Sequence, residues 1–129
     1  MAHSTSSNRY WHAARAPRYS LTFAFPLLVA YETLAFTPDR HVVAQSTLAM
    51  SLEENPTVYQ WGTFVHREHR GHKLGLATKA VNLRAVQKAR DDLRLVVTQN
   101  AETNDYMVAI NERMGFLPIE IAGEFVKRL

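Results

Sequence analysis

Cysteine is absent from this 129-residue chain. A disulfide scaffold, a Cys-ligated zinc finger, an iron–sulfur protein and a thiol nucleophile are therefore excluded, and a reducing compartment is compatible. Glycine and proline are sparse, with five of each. No self-similar period accompanies them, which removes collagen-like and repeat architectures. Acids are missing from the first twenty residues, which carry Arg9, Arg15 and Arg18. A long hydrophobic run is lacking too: residues 21–36 are interrupted by Pro26 and Glu32, short of the ~20 apolar residues a membrane helix needs. Arg15 and Arg18 ahead of this run imitate a secretory signal. No small-residue cleavage site follows, because Tyr31 and Glu32 come next. The expectation is a cytoplasmic protein that makes no use of a membrane.

What is present is an ordinary globular composition, 47% hydrophobic and 21% charged, in a length that suits one domain. The net charge of +3 is unevenly spread. Residues 66–94 hold eight Lys and Arg against three acids. A basic block of this kind favours an anionic partner such as a phosphorylated cofactor or nucleic acid, or it forms a solvated helix face.

Residues 1–19 have no hydrophobic period and read as a disordered basic tail, leaving 20–129 as the domain. Strands are expected over 20–36, 41–50 and 57–66, separated by the turn sequences Thr37-Pro38-Asp39-Arg40 and Glu53-Glu54-Asn55-Pro56. Leu74, Ala77, Ala80, Val81, Leu83 and Val86 recur near the helical period, so a helix should run to about Arg90. Residues 93–98 form a short apolar run of the sort buried on both faces. A second helix is expected over 104–114, ended by a left-handed Gly115, and a last strand over 116–129. The order β-β-β-α-β-α-β gives a mixed α/β fold.

Arg70-Gly71-His72-Lys73-Leu74-Gly75-Leu76 leads from a strand into a helix. The first N–H groups of a helix lack internal partners, and the helix dipole places about half a positive charge there. Small glycines and two cations beside them make a cradle for a pyrophosphate. The glycine spacing fits neither the dinucleotide fingerprint nor the P-loop.

The stretch 64–75, FVHREHRGHKLG, resembles the acetyl-CoA motif of the GNAT superfamily of N-acetyltransferases, a strand end followed by R/Q-x-x-G-x-G/A opening a helix. Further on, Asn104, Met107, Ile110, Asn111 and Met114-Gly115-Phe116 resemble that family's second helix and turn. The phrasing RGHKLG looks closest to domains of two-domain actinobacterial members. The resemblance covers about residues 58–129. It implies a mixed, mostly antiparallel sheet flanked by helices. It also implies acetyl-CoA as co-substrate, and transfer of the acetyl group to a small-molecule or peptidyl amine by direct attack on the thioester, with no metal.

Carried over residue by residue, the edge at Phe64 and Val65 would pair with the pantetheine arm. Arg70, Gly71, His72, Lys73, Gly75 and Leu76 would wrap the pyrophosphate. Asn104 would bond the pantetheine. Asn111 stands where the family often has a thiolate-protonating tyrosine, and an amide cannot act as that acid. A thiol pKa near ~8.5 still makes the thiolate a fair leaving group. Lys73 replaces the first motif glycine, and Met107 a small residue. The family usually sets a strand and two helices ahead of these strands, for which residues 1–19 are too short. The resemblance is thus to the cofactor-binding half, as an enzyme, a homodimer that completes itself, or a catalytically decayed CoA-binding or pairing module.

His66 is a candidate base, since an imidazole near its ordinary pKa can deprotonate an amine. His66, His69 and His72 share metal-like spacing, but a loop fixes no geometry and no further ligand completes a set. Arg9, Tyr10, Trp11, His12, Arg15, Arg18 and Tyr19 mix bases with aromatics as single-strand binders do. That makes a nucleic-acid binder the third reading, behind the two built on the cofactor.

Overall fold

A computed structural model describes residues 12–15, 19–21, 28–51, 56–123 and 125–129, with side chains from residue 29 onward. The chain divides into two compact units, Met1–Gln99 and Asn100–Leu129, each taken by itself below.

The first unit is a six-stranded sheet with one long helix. Its strands are β1 (His12–Arg15), β2 (Tyr19–Leu21), β3 (Leu28–Phe36), β4 (Val42–Ser51), β5 (Thr57–Val65) and β6 (Leu95–Thr98), and helix α1 is Leu74–Ala89. The order across the sheet is β1-β3-β4-β5-β6, with β2 also on β3. All pairs are antiparallel except β5 and β6, which run parallel across the α1 crossover. This is the mixed, mostly antiparallel sheet expected from the sequence.

β4 is central. Its Ala44 clusters with Leu74 at the start of α1, and Leu48 and Met50 cluster with Val58 of β5 and Val86 of α1. Two apolar groups along one helix thus hold α1 on β4. The β3–β4 turn closes through bonds from Arg40 N–H to the Thr37 carbonyl (2.9 Å) and from His41 N–H to Thr37 Oγ1 (3.0 Å). At the far end of α1, the Arg90 guanidinium clasps both Asp92 oxygens and donates to the Ser51 carbonyl at 3.2 Å.

Several expectations are corrected here. The backbone of residues 12–15 and of Tyr19, expected in the tail, pairs with β3. A sheet edge with unpaired N–H and C=O groups accepts any backbone that can lie along it, whatever its side chains. The rest of that stretch, residues 1–11 and 16–18, lies outside the described residues. The strand expected over 93–98 is β6, an edge strand in the described sheet. It is half-buried, with Leu95 exposed, rather than covered on both faces.

The face of α1 also differs. Ala77, Ala80 and Val81 are exposed, while Thr78, Lys79 and Asn82 are buried beside Leu74, Gly75 and Val86. Thr78 satisfies its hydroxyl on the Leu74 carbonyl at 2.9 Å, one turn back. Asn82 Nδ2 donates to the carbonyls of Tyr31 (2.8 Å) and Ser46 (2.9 Å) in the sheet. Polar groups that find partners can occupy a buried face, and here they displace part of the expected apolar stripe.

In the second unit, α2 (Asp105–Arg113) starts at Asn104, whose side-chain oxygen accepts from Met107 N–H at 3.2 Å. It ends as expected at Gly115, with φ of 83°. Phe116 N–H bonds the Asn111 carbonyl and Gly115 N–H the Glu112 carbonyl, both at 3.0 Å, which is a Schellman closure. The strand expected over 116–129 is not formed among the described residues. Leu117, Ile119 and Ile121 alternate as a strand would, yet stand exposed with no ladder partner described. An extended segment becomes a strand only when another backbone meets its N–H and C=O groups.

Candidate functional site

Strand β5 builds one side of the site. Its first half buries Val58 and Gln60 and exposes Tyr59 and Trp61. Its second half buries Val65 and exposes Phe64. The alternation changes phase because Ser46 pairs with Thr63 while Leu48 pairs with Gln60. Trp61 and Gly62 therefore oppose Thr47 alone, which is a β-bulge. At the same place the parallel pairing with β6 stops, its last pair being Gln60 with Thr98. Beyond it, residues 61–65 keep β4 on one side and have no strand on the other among the described residues. That exposed edge can accept an extended ligand through backbone hydrogen bonds.

The strand runs directly into the loop singled out in the sequence. His66 N–H extends the ladder to the Val43 carbonyl at 2.7 Å. A 3-10 turn follows over Arg67–His69, capped by His66, whose Nδ1 accepts from Glu68 N–H at 3.4 Å. Gly71 takes φ of +81° and Lys73 φ of +59°, two left-handed residues on either side of His72. A third positive φ at Arg40 belongs to the β3–β4 turn. Lys73 is the N-cap of α1, gives it no side-chain bond, and no acid stands in the first turn. The opening N–H groups of α1 thus receive no side-chain cap from Lys73 and lie at the positive end of the dipole.

Lys73 sits where the resembling motif has glycine, and its backbone conformation is one that glycine adopts without strain. The left-handed region costs other residues ~1–2 kcal/mol. At Gly71 a Cβ would touch nothing within 4 Å, so the torsion alone demands glycine there. Gly71→Val is expected to lower stability by about 1–2 kcal/mol through backbone strain. A denaturation midpoint equal to that of the parent would show that the turn is not left-handed in solution.

The side chains around the turn are already partly committed. Arg70 Nε donates to the Val65 carbonyl at 3.3 Å, which ties the loop to the strand end. The other guanidinium nitrogens remain as donors for an anion. His72 Nδ1 lies 3.1 Å from the carbonyls of both His69 and Arg70. Those oxygens only accept, so the proton sits on Nδ1. His66 and His69 stack edge to face, with ring centroids 5.8 Å apart. With Asp39, His41 and Glu68 they border an open cleft of about 510 Å³ next to the β3–β4 turn. Asp39 there is held below the usual carboxylate range, chiefly by the Thr37 hydroxyl and then by its own backbone and His41. Among the described residues no group of three or more His, Asp or Glu side chains could hold a metal ion.

The structure thus gathers Phe64, Val65, His66, Arg70, Gly71, His72, Lys73, Gly75 and Leu76 along one strand end and the helix start after it. Asn104 and Asn111 lie in the second unit. Asn104 has its side-chain oxygen engaged in the cap, which leaves its amide hydrogens for any ligand. Asn111 is buried. The sequence did not single out the buried Gln60, Ser46 and Asn82 or the half-buried Thr63, the polar residues that brace this end of the sheet. The available signal was an amide at an inward position of an apolar strand, and another on an apolar helix stripe.

No protein-family model and no curated protein matches the chain. Solved structures do. A tandem GNAT protein from the clavulanic acid biosynthesis pathway is 39% identical over 70% of this chain, with a TM-score of 0.66. The match spans 28% of that protein's length. The aminoglycoside N-acetyltransferase AAC(6')-Iy, solved with CoA, superposes at a TM-score of 0.61 and 15% identity, over 78% of this chain and 68% of that one. An aminoglycoside 6'-N-acetyltransferase from Acinetobacter baumannii gives 0.55 at 20% identity, over 78% and 71%. The latter two show a shared fold. No helix among the described residues is long and apolar enough to cross a membrane. By its sheet, its strand-to-helix cradle and the sequence it shares with the tandem protein, the chain has the GNAT fold.

Proposed function

We propose that this chain binds acetyl-CoA along the open edge of β5 and at the start of α1, and that it transfers the acetyl group to an amine. The observation that carries the reading is continuity. β6 leaves β5 at Gln60, and the edge so opened leads within a few residues into the left-handed turn at Gly71 and Lys73. A pantetheine arm is an extended amide chain that can pair with such an edge, and its pyrophosphate would then meet the uncapped N–H groups of α1. Arg70 and Lys73 would add formal charge. Several of the similar structures are acetyltransferases solved with CoA or a CoA analogue, which supports the same placement.

In the transfer itself a neutral amine forms a C–N bond to the thioester carbonyl, the C–S bond breaks, and CoA leaves as thiolate. His66, exposed at the strand end, is the candidate to take the amine proton, directly or through water. The acceptor's class follows from the reaction: a small-molecule or peptidyl amine. A second reading has one specific observation behind it. Asn111 cannot protonate a thiolate, so the domain would bind CoA and serve as an interaction module without turnover.

Calorimetric titration with acetyl-CoA tests the cofactor. Micromolar binding, about −8 kcal/mol, is expected for the parent protein, and about a tenfold loss or more for Lys73→Glu, where a repelling charge faces the pyrophosphate. A folded protein that takes up no acetyl-CoA would sink the reading. Binding without release of free thiol in the presence of amines would favour the second one.

A further inference from the structure

Gln60 sits where three strands part. Its side chain is 6% exposed. Nε2 donates to the Thr47 carbonyl at 2.9 Å and to Ser46 Oγ at 3.1 Å, both on β4. It also lies 3.4 Å from the Trp61 carbonyl and 3.5 Å from Thr63 Oγ1 on its own strand. These four acceptors surround the bulge. Thr47 is the residue that faces two partners, and Trp61 is one of the two. A bulge leaves backbone groups without a ladder partner, and a buried carbonyl left so is costly. The Gln60 amide meets this need at the Thr47 carbonyl across the bulge, and the Trp61 carbonyl stands within reach of the same nitrogen. On the other flank, Thr98 Oγ1 donates to the Gln60 carbonyl at 3.3 Å, at the final pair of β5 with β6.

One residue therefore closes the bulge with its side chain and marks the departure of β6 with its main chain. The bulge also sets the phase of residues 63–65, because one extra residue turns every following side chain to the opposite face. With a regular ladder, Phe64 would point inward and Val65 outward.

We propose that Gln60 is a positioning residue for the thioester end of the cofactor: its amide holds the Trp61–Gly62 bulge across Thr47 and so fixes the direction in which the open edge of β5 leaves β6. This rests on the acetyl-CoA reading above. Gln60 does not touch the reacting atoms. It acts through the backbone of residues 61–65, which the pantetheine arm would use. The pyrophosphate cradle lies farther along, and Arg70 and the left-handed turn hold it independently.

The test separates the two ends of the cofactor in the full chain. Gln60→Met keeps the reach of the side chain and removes its donors. Affinities for acetyl-CoA and for ADP are measured by calorimetry, ADP offering the pyrophosphate without the pantetheine arm. Acetyl-CoA binding is expected to weaken about tenfold, and ADP binding to stay within about twofold, as loss of the backbone alignment under one end of the ligand requires. Equal losses for both ligands, or no loss for either, would overturn the positioning role while the acetyl-CoA reading stands. A parent protein that binds neither ligand would remove that reading, and this role with it. If Gln60→Met does not fold, Thr63→Val removes one acceptor of the same amide. The same split is then expected at about threefold, and its absence overturns the proposal.

Discussion

Replacement of Asn82 by leucine is expected to cost the first unit about 3 kcal/mol, although the change nearly conserves volume and adds apolar surface. Asn82 is 1% exposed. Its Nδ2 places one hydrogen on the Tyr31 carbonyl of β3 and the other on the Ser46 carbonyl of β4. Leucine offers neither, and each carbonyl then loses an acceptor bond in a site closed to water. The two strands are also no longer tied to α1 at its middle. A fall in the thermal midpoint of about 10 °C or more is expected by circular dichroism. A fall below about 3 °C would mean that the sheet's own ladder already satisfies both oxygens. The bond bears on function through geometry. Ser46 receives Asn82 on its carbonyl and Gln60 on its hydroxyl, so the helix that begins at the cradle and the strand that bears the open edge are anchored to the same residue.

Much of this arrangement was legible in the sequence. Gly71 followed by a helical period gives the start of α1, and Asn104 with Gly115 brackets α2 from its chemistry, because caps and left-handed stops are local events. The strand-to-helix cradle was legible for the same reason. The bulge left a trace that was easy to pass over. Val58, Trp61, Phe64 and Val65, the apolar members of β5, do not alternate, and a strand that breaks period two has slipped a residue. The buried face of α1 was not legible. Periodicity counts apolar residues, whereas Thr78 and Asn82 are buried because carbonyls one turn away or across the sheet accept their hydrogens. Nor could residues 116–129 be read correctly, since their alternation specifies a strand only when a partner edge is present. The backbone pairing of residues 12–15 with β3 had no signal in the hydrophobic pattern of that stretch.

Lys79 shares the buried face of α1 with Asn82, and its contribution is expected to depend on pH. It is 1% exposed. Burial disfavours its ammonium and lowers its pKa from 10.5 to about 8. In the unfolded chain the group keeps its ordinary value, so between about pH 8 and 10.5 the unfolded state holds more protons than the folded one. Stability owed to this group therefore rises with pH across that window and is at its lowest at pH 7, where both states are charged and the full cost of burial is felt. Lys79→Met retains an unbranched chain of similar reach and removes the charge. The difference in stability between this variant and the parent is expected to move by about 2 kcal/mol in the parent's favour between pH 7 and pH 9.5. Urea denaturation at the two pH values measures this directly. A difference that does not move toward the parent as pH rises would show that the ammonium is stabilised where it lies. The contrast between these neighbours is chemical: at the same depth a neutral amide places two hydrogens on two carbonyls, while an ammonium gives up its hydration and so responds to pH. α1 can then hold its position against β3 and β4 through Asn82, with Leu74 and Val86 carrying the apolar contacts.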